Sequence, residues 1–206
     1  MTSQHPVIDP NLYISRWSTV FGLSAEGPWR LPSIAERVVT EKIKGLPGEY
    51  VKTGTAYIHH SANVEPHVTM KGPIIVGPGC FIGSHAYLRG GVFLDEGVVV
   101  GPGCEVKSTF MFRGSALAHF NFAGDSIIGE GVNMEAGSIL ANHYNERDDK
   151  SIRMLIDGVI HLLPVTKFGA LIGDGTKIGA NAVLSPGTLL RPNSVVKRLE
   201  LVEQVK

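Results

Sequence analysis

The 206-residue sequence has no surplus of charge of either sign: nineteen Lys and Arg stand against nineteen Asp and Glu. A balanced chain lacks the long-range field that gathers nucleic acid or an anionic membrane surface, so its partners must be recognised locally. Cysteine is scarce as well. Cys80 and Cys104 are too few for a disulfide framework, and neither sits in a CxxC metal or redox pair, which fits a reducing cytoplasm. No run of about 18 apolar residues occurs, and the opening MTSQHPVIDPNLY lacks the basic stretch and apolar core of a signal peptide. A soluble, cytoplasmic protein is expected. The length suits one main domain with a substantial core.

What the chain does have is glycine, 25 residues of it, returning beside aliphatic residues at a fixed interval. Every sixth position reads Ile58, Val64, Met70, Val76, Ile82, Leu88, Leu94, Val100, Val106 and Phe112, followed by Ala118. The phase slips by two near Phe122 and resumes through Ile128, Met134 and Leu140. After a second break it returns at Ile172, Ile178, Leu184, Leu190 and Val196. An amphipathic helix repeats at three to four and an ordinary strand at two, so neither explains a sustained period of six. In hexads such as VGPGCF, IGSHAY, IGEGVN and IGDGTK the first residue is large and apolar, the second often Gly and the fifth small. The large side chain points inward, the small one lets the opposite strand approach, and Gly or Asn turns the corner. Three hexads make a coil, and stacked coils bury a continuous aliphatic column that no single repeat could bury. The expected fold is all-β, a parallel β-helix.

Residues 1–50 are expected to form a short helical cap over the first coil, and residues 51–200 the β-helix. PNLYISRWSTVFGL and LPSIAERVVTEKIKGLP both read as helical, the second opening at Pro32 and Ser33 with Glu36 nearby and stopping before Gly45. A cap is needed because an uncovered end coil leaves strand edges unpaired. LVEQVK is expected to close the other end. From about 143 to 167 the period is abandoned in an insertion loop, which is expected to leave one corner and reach a neighbouring subunit.

The stretch HFNFAGDSIIGEGVNMEAGSILAN, residues 119–142, resembles the acetyltransferase half of a bifunctional family. That family joins glucosamine-1-phosphate acetyltransferase to N-acetylglucosamine-1-phosphate uridyltransferase, and its motif reads His, two residues, an aromatic, then GD, IG, VN and AG. Arg89 in YLRGG, Lys107 in CEVKS and Lys167 in KFGALIGDG stand at matching positions, so the resemblance covers about residues 57–196. It implies the left-handed sense of the β-helix, a homotrimer, and an acetyl-CoA donor lying between subunits near Ala136, Tyr144 and Ala180. It implies His119 as general base and Asn142 in the acetyl-transfer region, with Arg89, Lys107, Phe122, Asn133 and Lys167 binding an amino sugar phosphate or nucleotide sugar. No metal, nucleic acid or membrane is implied.

The residue chemistry agrees with those roles. Acetyl transfer to an amine needs a neutral nucleophile, and imidazole titrates near neutral pH. A corner imidazole merely bonded to backbone is the plainer reading of His119. Arg89 and Lys107 lie one coil of three hexads apart, so they should project from one edge about 5 Å from each other, as a phosphate clamp or as two solvated cations. Two departures from the family stand out. Phe122 replaces a substrate-binding Tyr, which removes a hydroxyl contact and leaves stacking. Asn142 is followed by His143, Tyr144 and the insertion rather than directly by Tyr, so a different acceptor pocket is expected. Nothing in the chain resembles a nucleotidyltransferase opening, so uridyl transfer is not expected of it.

Two other classes remain. A zinc-dependent carbonic anhydrase would use converging imidazoles, and His59, His60, His67, His85, His119 and His143 invite the comparison, although paired His five apart on one strand are absent. A non-catalytic β-helix would bind a nucleotide sugar or scaffold a partner protein.

Overall fold

The computed structural model describes residues 8–22 and 27–205. Three sheets run the length of a prism: sheet A with eight strands, seven of them parallel, and sheets B and C with seven parallel strands each. Each coil visits A, then B, then C, so seven coils stack. Register follows the repeat, with Ile58 beside Val76, Val64 beside Ile82, and Met70 beside Leu88. This is the expected all-β architecture, consistent with a left-handed parallel β-helix.

Its column is lined by Val76, Ile82, Leu88, Leu94, Val100 and Val106 and continues to Val196, while Cys80, Ala86, Cys104 and Ala182 fill the small positions. Burying one such aliphatic side chain is worth about 1.5–3 kcal/mol, and stacking lets every coil contribute. The inward series departs from strict sixes in one respect. After Val106 the next inward residue of sheet A is Met111, five positions on, and Ala123 is followed by Ile128 in the same way. Phe112, expected inside, therefore lies outside the coil against Trp17, ring centroids 6.3 Å apart.

The N-terminal segment lies along the outer face of sheet A instead of covering the open end. A short 3-10 turn (Pro10–Leu12) leads to α1 (Trp17–Phe21), α2 (Arg30–Ser33) and α3 (Ala35–Ile43). Trp17, Ala35 and Val39 pack on the outward residues Ile75, Phe93, Phe110, Ile127 and Leu171. Those residues are apolar because the layer above keeps water away, and that outward row explains why the segment docks sideways. Polar ties hold it too: Ser15 N–H donates to Asp174 (2.8 Å) and Arg16 pairs with Asp95 (3.1 Å). The expected single helix opening at Pro32 and Ser33 is broken in two at Ile34. Ile34 occupies the cap position of α3 without a side-chain bond, while the Ser33 hydroxyl donates to the Arg30 carbonyl.

The first coil is closed by a hairpin, in which Tyr50–Thr53 pairs antiparallel with Ala56–His59. The insertion forms a second hairpin, Arg153–Ile156 with Val159–Leu162, and buries Ile152, Met154 and Leu163 on sheet A of its own chain. At the far end Leu201–Val202 pairs with Val183–Leu184, and the Gln204 side chain donates to the carbonyl and accepts from the N–H of Leu189 (2.7 and 2.9 Å). Among the described residues no helix is long and apolar enough to cross a membrane.

Candidate functional site

The shortened turns put chemistry on the edge where sheet C passes to sheet A. The left-handed position that Gly90 (φ 73°) fills one coil earlier is taken in the shortened turns by Ser108 (φ 48°) and Asp125 (φ 46°). Hydroxyls hold the two turns: Thr109 donates to the Lys107 carbonyl (2.7 Å) and Ser126 to the Gly124 carbonyl (2.8 Å). Arg89 and Lys107 sit side by side in register on this edge, as their spacing predicts.

Neither cation is bare. Arg89 forks onto Glu105 through Nε (2.8 Å) and Nη2 (2.7 Å), and Lys107 Nζ reaches the buried Asp125 carboxylate at 2.5 Å. Asn142 Nδ2 donates to the same Asp125 oxygen. The Phe122 ring tip and the Asn142 amide both crowd Gly124, so a larger residue there would push them aside. A Cβ on Gly124 would lie 2.7 Å from the ring and 2.8 Å from the Asn142 amide nitrogen.

A groove of about 930 Å³ opens beside this cluster. Arg89, Lys107, Asp125 and Lys167 line it from the prism, while Arg30, Glu36 and Arg37 line it from the helical segment. Gly91 permits that approach: with φ at 86°, it has backbone where a Cβ would lie 2.4 Å from the Glu36 nitrogen. Three sequence candidates, Arg89, Lys107 and Lys167, thus share one groove. Asp125 belongs with them and is visible in hindsight as the acid of the GD pair. Arg30 and Arg37 carry no motif, because their place depends on how the helical segment docks.

His119 is elsewhere. It is exposed on the edge where sheet B passes to sheet C, just before the strand Phe122–Gly124 whose far end carries Asp125. A strand therefore separates base and cations, about 10 Å at some 3.3 Å per residue. His119 shares its edge with Ala136 and Ala180, one coil after another, through bonds from Gly137 N–H to the His119 carbonyl (2.9 Å) and Asn181 N–H to the Ala136 carbonyl (3.0 Å). Phe120, next to it, is 74% exposed.

A second groove, about 500 Å³, flanks the late coils and holds Asn133, Glu135, Lys177, Lys197 and Arg198. Arg198 forks onto Glu135 (2.8 and 2.9 Å), and Ala180 N–H donates to the same carboxylate (3.0 Å). The Arg198 hydrogen bonds, then the Ala180 N–H, hold the Glu135 carboxyl below its usual range. Tyr144 lies apart from Ala136 and Ala180, buried in the insertion, its hydroxyl donating to the Pro186 carbonyl (3.3 Å) and its ring covered by Arg147 (3.9 Å). Among the described residues no three His, Cys, Asp or Glu side chains gather to hold a metal ion.

Prism, hexads and stacked coils define a hexapeptide-repeat protein, and residues 73–107 and 169–197 match the family model described as hexapeptide repeat of succinyl-transferase. More particularly, the chain resembles the bifunctional sugar-phosphate enzymes. It is 31% identical over 162 residues to Bifunctional protein GlmU of Methanococcus vannielii, an overlap of 70% of this chain and 38% of that protein. It is 32% identical over 160 residues to a bifunctional sugar-1-phosphate nucleotidylyltransferase/acetyltransferase of Sulfurisphaera tokodaii, covering 66% of this chain and 39% of the relative. The chain thus spans about two fifths of the length of these relatives. Among solved structures, a proposed acetyltransferase from Bacillus cereus superposes with a TM-score of 0.50 at 9% identity, over 66% of this chain and 69% of that one, a likeness of fold.

Proposed function

We propose that the protein is an acyltransferase that moves an acetyl group from acetyl-CoA to the amine of an amino sugar phosphate or nucleotide sugar. The observation that carries this reading is the gathering of Arg89, Lys107 and Lys167 in one groove, in a chain whose His119–Asn142 stretch resembles the family's acetyl-transfer motif. His119 accepts the proton of the attacking amine as nitrogen adds to the thioester carbonyl. The oxyanion is met by backbone N–H groups and by the Asn142 amide, whose nitrogen carries a second hydrogen beyond the one given to Asp125. Collapse expels the CoA thiol, which takes up a proton, and leaves the amide. Lys177, Lys197 and Arg198 suit the phosphates of the donor, with Ala136 and Ala180 keeping the adjoining edge narrow.

Base and cations lie on different edges of one prism, so the reading calls for a homotrimer in which one copy's His119 edge meets another copy's cation edge. The expected compartment is the cytoplasm. The decisive experiment is thiol release from acetyl-CoA against amino sugar 1-phosphates and nucleotide-linked amino sugars. Turnover with one acceptor, lowered about 10²- to 10⁴-fold in His119→Ala without loss of folding, is the expected result. Silence with every acceptor from a folded protein overturns it.

One observation favours a second reading, a β-helix that binds a nucleotide sugar or scaffolds a partner without catalysis: Arg89 and Lys107 are each already matched by a carboxylate. In that case ligand binding persists unchanged in His119→Ala and no thiol appears.

A further inference from the structure

We infer that the acceptor groove is built for a nucleoside diphosphate sugar, with Arg37 of the helical layer as a specificity-determining contact. This rests on the groove being the acceptor site of the reading above, and it selects between the two acceptor classes that reading leaves open. Five cations line the groove, Arg30, Arg37, Arg89, Lys107 and Lys167, against two carboxylates, Glu36 and Asp125. Arg89 and Lys107 are satisfied by Glu105 and Asp125, so their charge is largely spent within the protein. Arg37 and Lys167 are exposed and have no ion pair or hydrogen bond among the described residues. They come from different parts of the chain, one from α3 and one from the segment entering sheet A, and meet in the same groove.

A sugar monophosphate concentrates its charge at one end, and two adjacent cations on one rung suffice for it. A diphosphate spreads its charge over two linked groups, which two further cations on facing walls, Arg37 on the helical side and Lys167 on the prism, can meet together. Size and polarity point the same way. At about 930 Å³ the groove is near the upper end of the roughly 300–1,000 Å³ usual for small-molecule sites, more room than a hexose phosphate fills. Ile34, Pro164 and Val165 add an apolar stretch of lining against which a flat nucleobase can lie.

The test measures direct binding by calorimetry, without acetyl-CoA. The probes are the UDP-, GDP- and dTDP-linked N-acetylhexosamines and N-acetylglucosamine 1-phosphate. At least one nucleotide sugar is expected to bind about tenfold or more tightly than the monophosphate, and Arg37→Ala should remove about tenfold of its affinity, a charge-assisted bond's worth. The loss for the monophosphate should be several-fold smaller, and Arg37→Lys should restore part of the difference. Unchanged thermal melting of these exposed-site variants separates lost contact from lost fold. Monophosphate binding as tight as every nucleotide sugar, equal losses for both ligands in Arg37→Ala, or no binding by any nucleotide sugar would overturn the inference. Arg37-dependent nucleotide-sugar binding without any thiol release would leave it standing while the catalytic reading fell.

Discussion

Sheets A and B are made from the same hexads, with the same inward aliphatic row, yet one is hidden and the other faces solvent. The difference lies in a single outward position per strand. On sheet A it is Ile75, Phe93, Phe110, Ile127, Leu171 and Leu189, and helices and hairpin cover that row. On sheet B the paired positions run Asn63, Phe81, Val99, Ala116, Asn133, Lys177 and Val195, and among the described residues no such layer covers them. The inward row decides that a coil forms, while the outward row decides what may dock on it, so function can be added to a prism without touching its core.

The contrast is most severely tested by truncating the covering layer. Trp17→Ala should cost about 3–5 kcal/mol in urea unfolding, as expected for a buried aromatic. Val195→Ala, 71% exposed on sheet B, should stay within about 0.5 kcal/mol. Equal effects would erase the distinction between the faces.

Next in size is the buried carboxylate of the cation edge. Asp125→Ala strands Lys107 and the Asn142 amide, and a loss of about 3 kcal/mol is expected. Glu105→Ala, which breaks a half-exposed pair with Arg89, should cost under about 1 kcal/mol. If the two variants melt together, the edge is solvated throughout.

A smaller effect concerns pH and the inner column. Burial pushes the Cys80 thiol up to about 11 from 9.0. The folded pKa is the higher one, so the stabilisation is complete below the unfolded value and fades as pH rises from about 9 toward 11, by about 2–3 kcal/mol at most. Cys80→Ala should flatten this alkaline loss in melts recorded between those limits, and native Cys80 should resist alkylation at neutral pH. Rapid labelling of the folded protein would show the column to be open. Smallest of all, His119→Ala on its exposed edge should shift the urea midpoint by an amount equivalent to less than about 0.5 kcal/mol.

The coil itself was legible because a period of six admits few other structures, and the register of Arg89 and Lys107 followed from counting. Phe112 went astray for a local reason: a five-residue turn moves every later residue by one place, and only the Ser-Thr and Asp-Ser pairs standing where Gly-Gly turns the previous coil betray it. The helical segment was recognised as helical but sent to the wrong surface, since an amphipathic stripe says that a helix will be covered without saying by what. Arg37 was unreadable for the same reason. Its role depends on a docking that joins residues some fifty to one hundred and thirty positions apart.

The Gln204 amide bracketing Leu189 has a consequence for assembly length. A carboxamide offers one donor and one acceptor, the same pair a peptide unit presents, so it imitates the next strand of sheet A without being a strand. At the opposite end the sheet is finished differently, by an antiparallel strand in place of a side-chain amide. A second molecule arriving end-on at the Gln204 edge finds the rung of Leu189 already taken, so coaxial addition of a strand to sheet A is discouraged there.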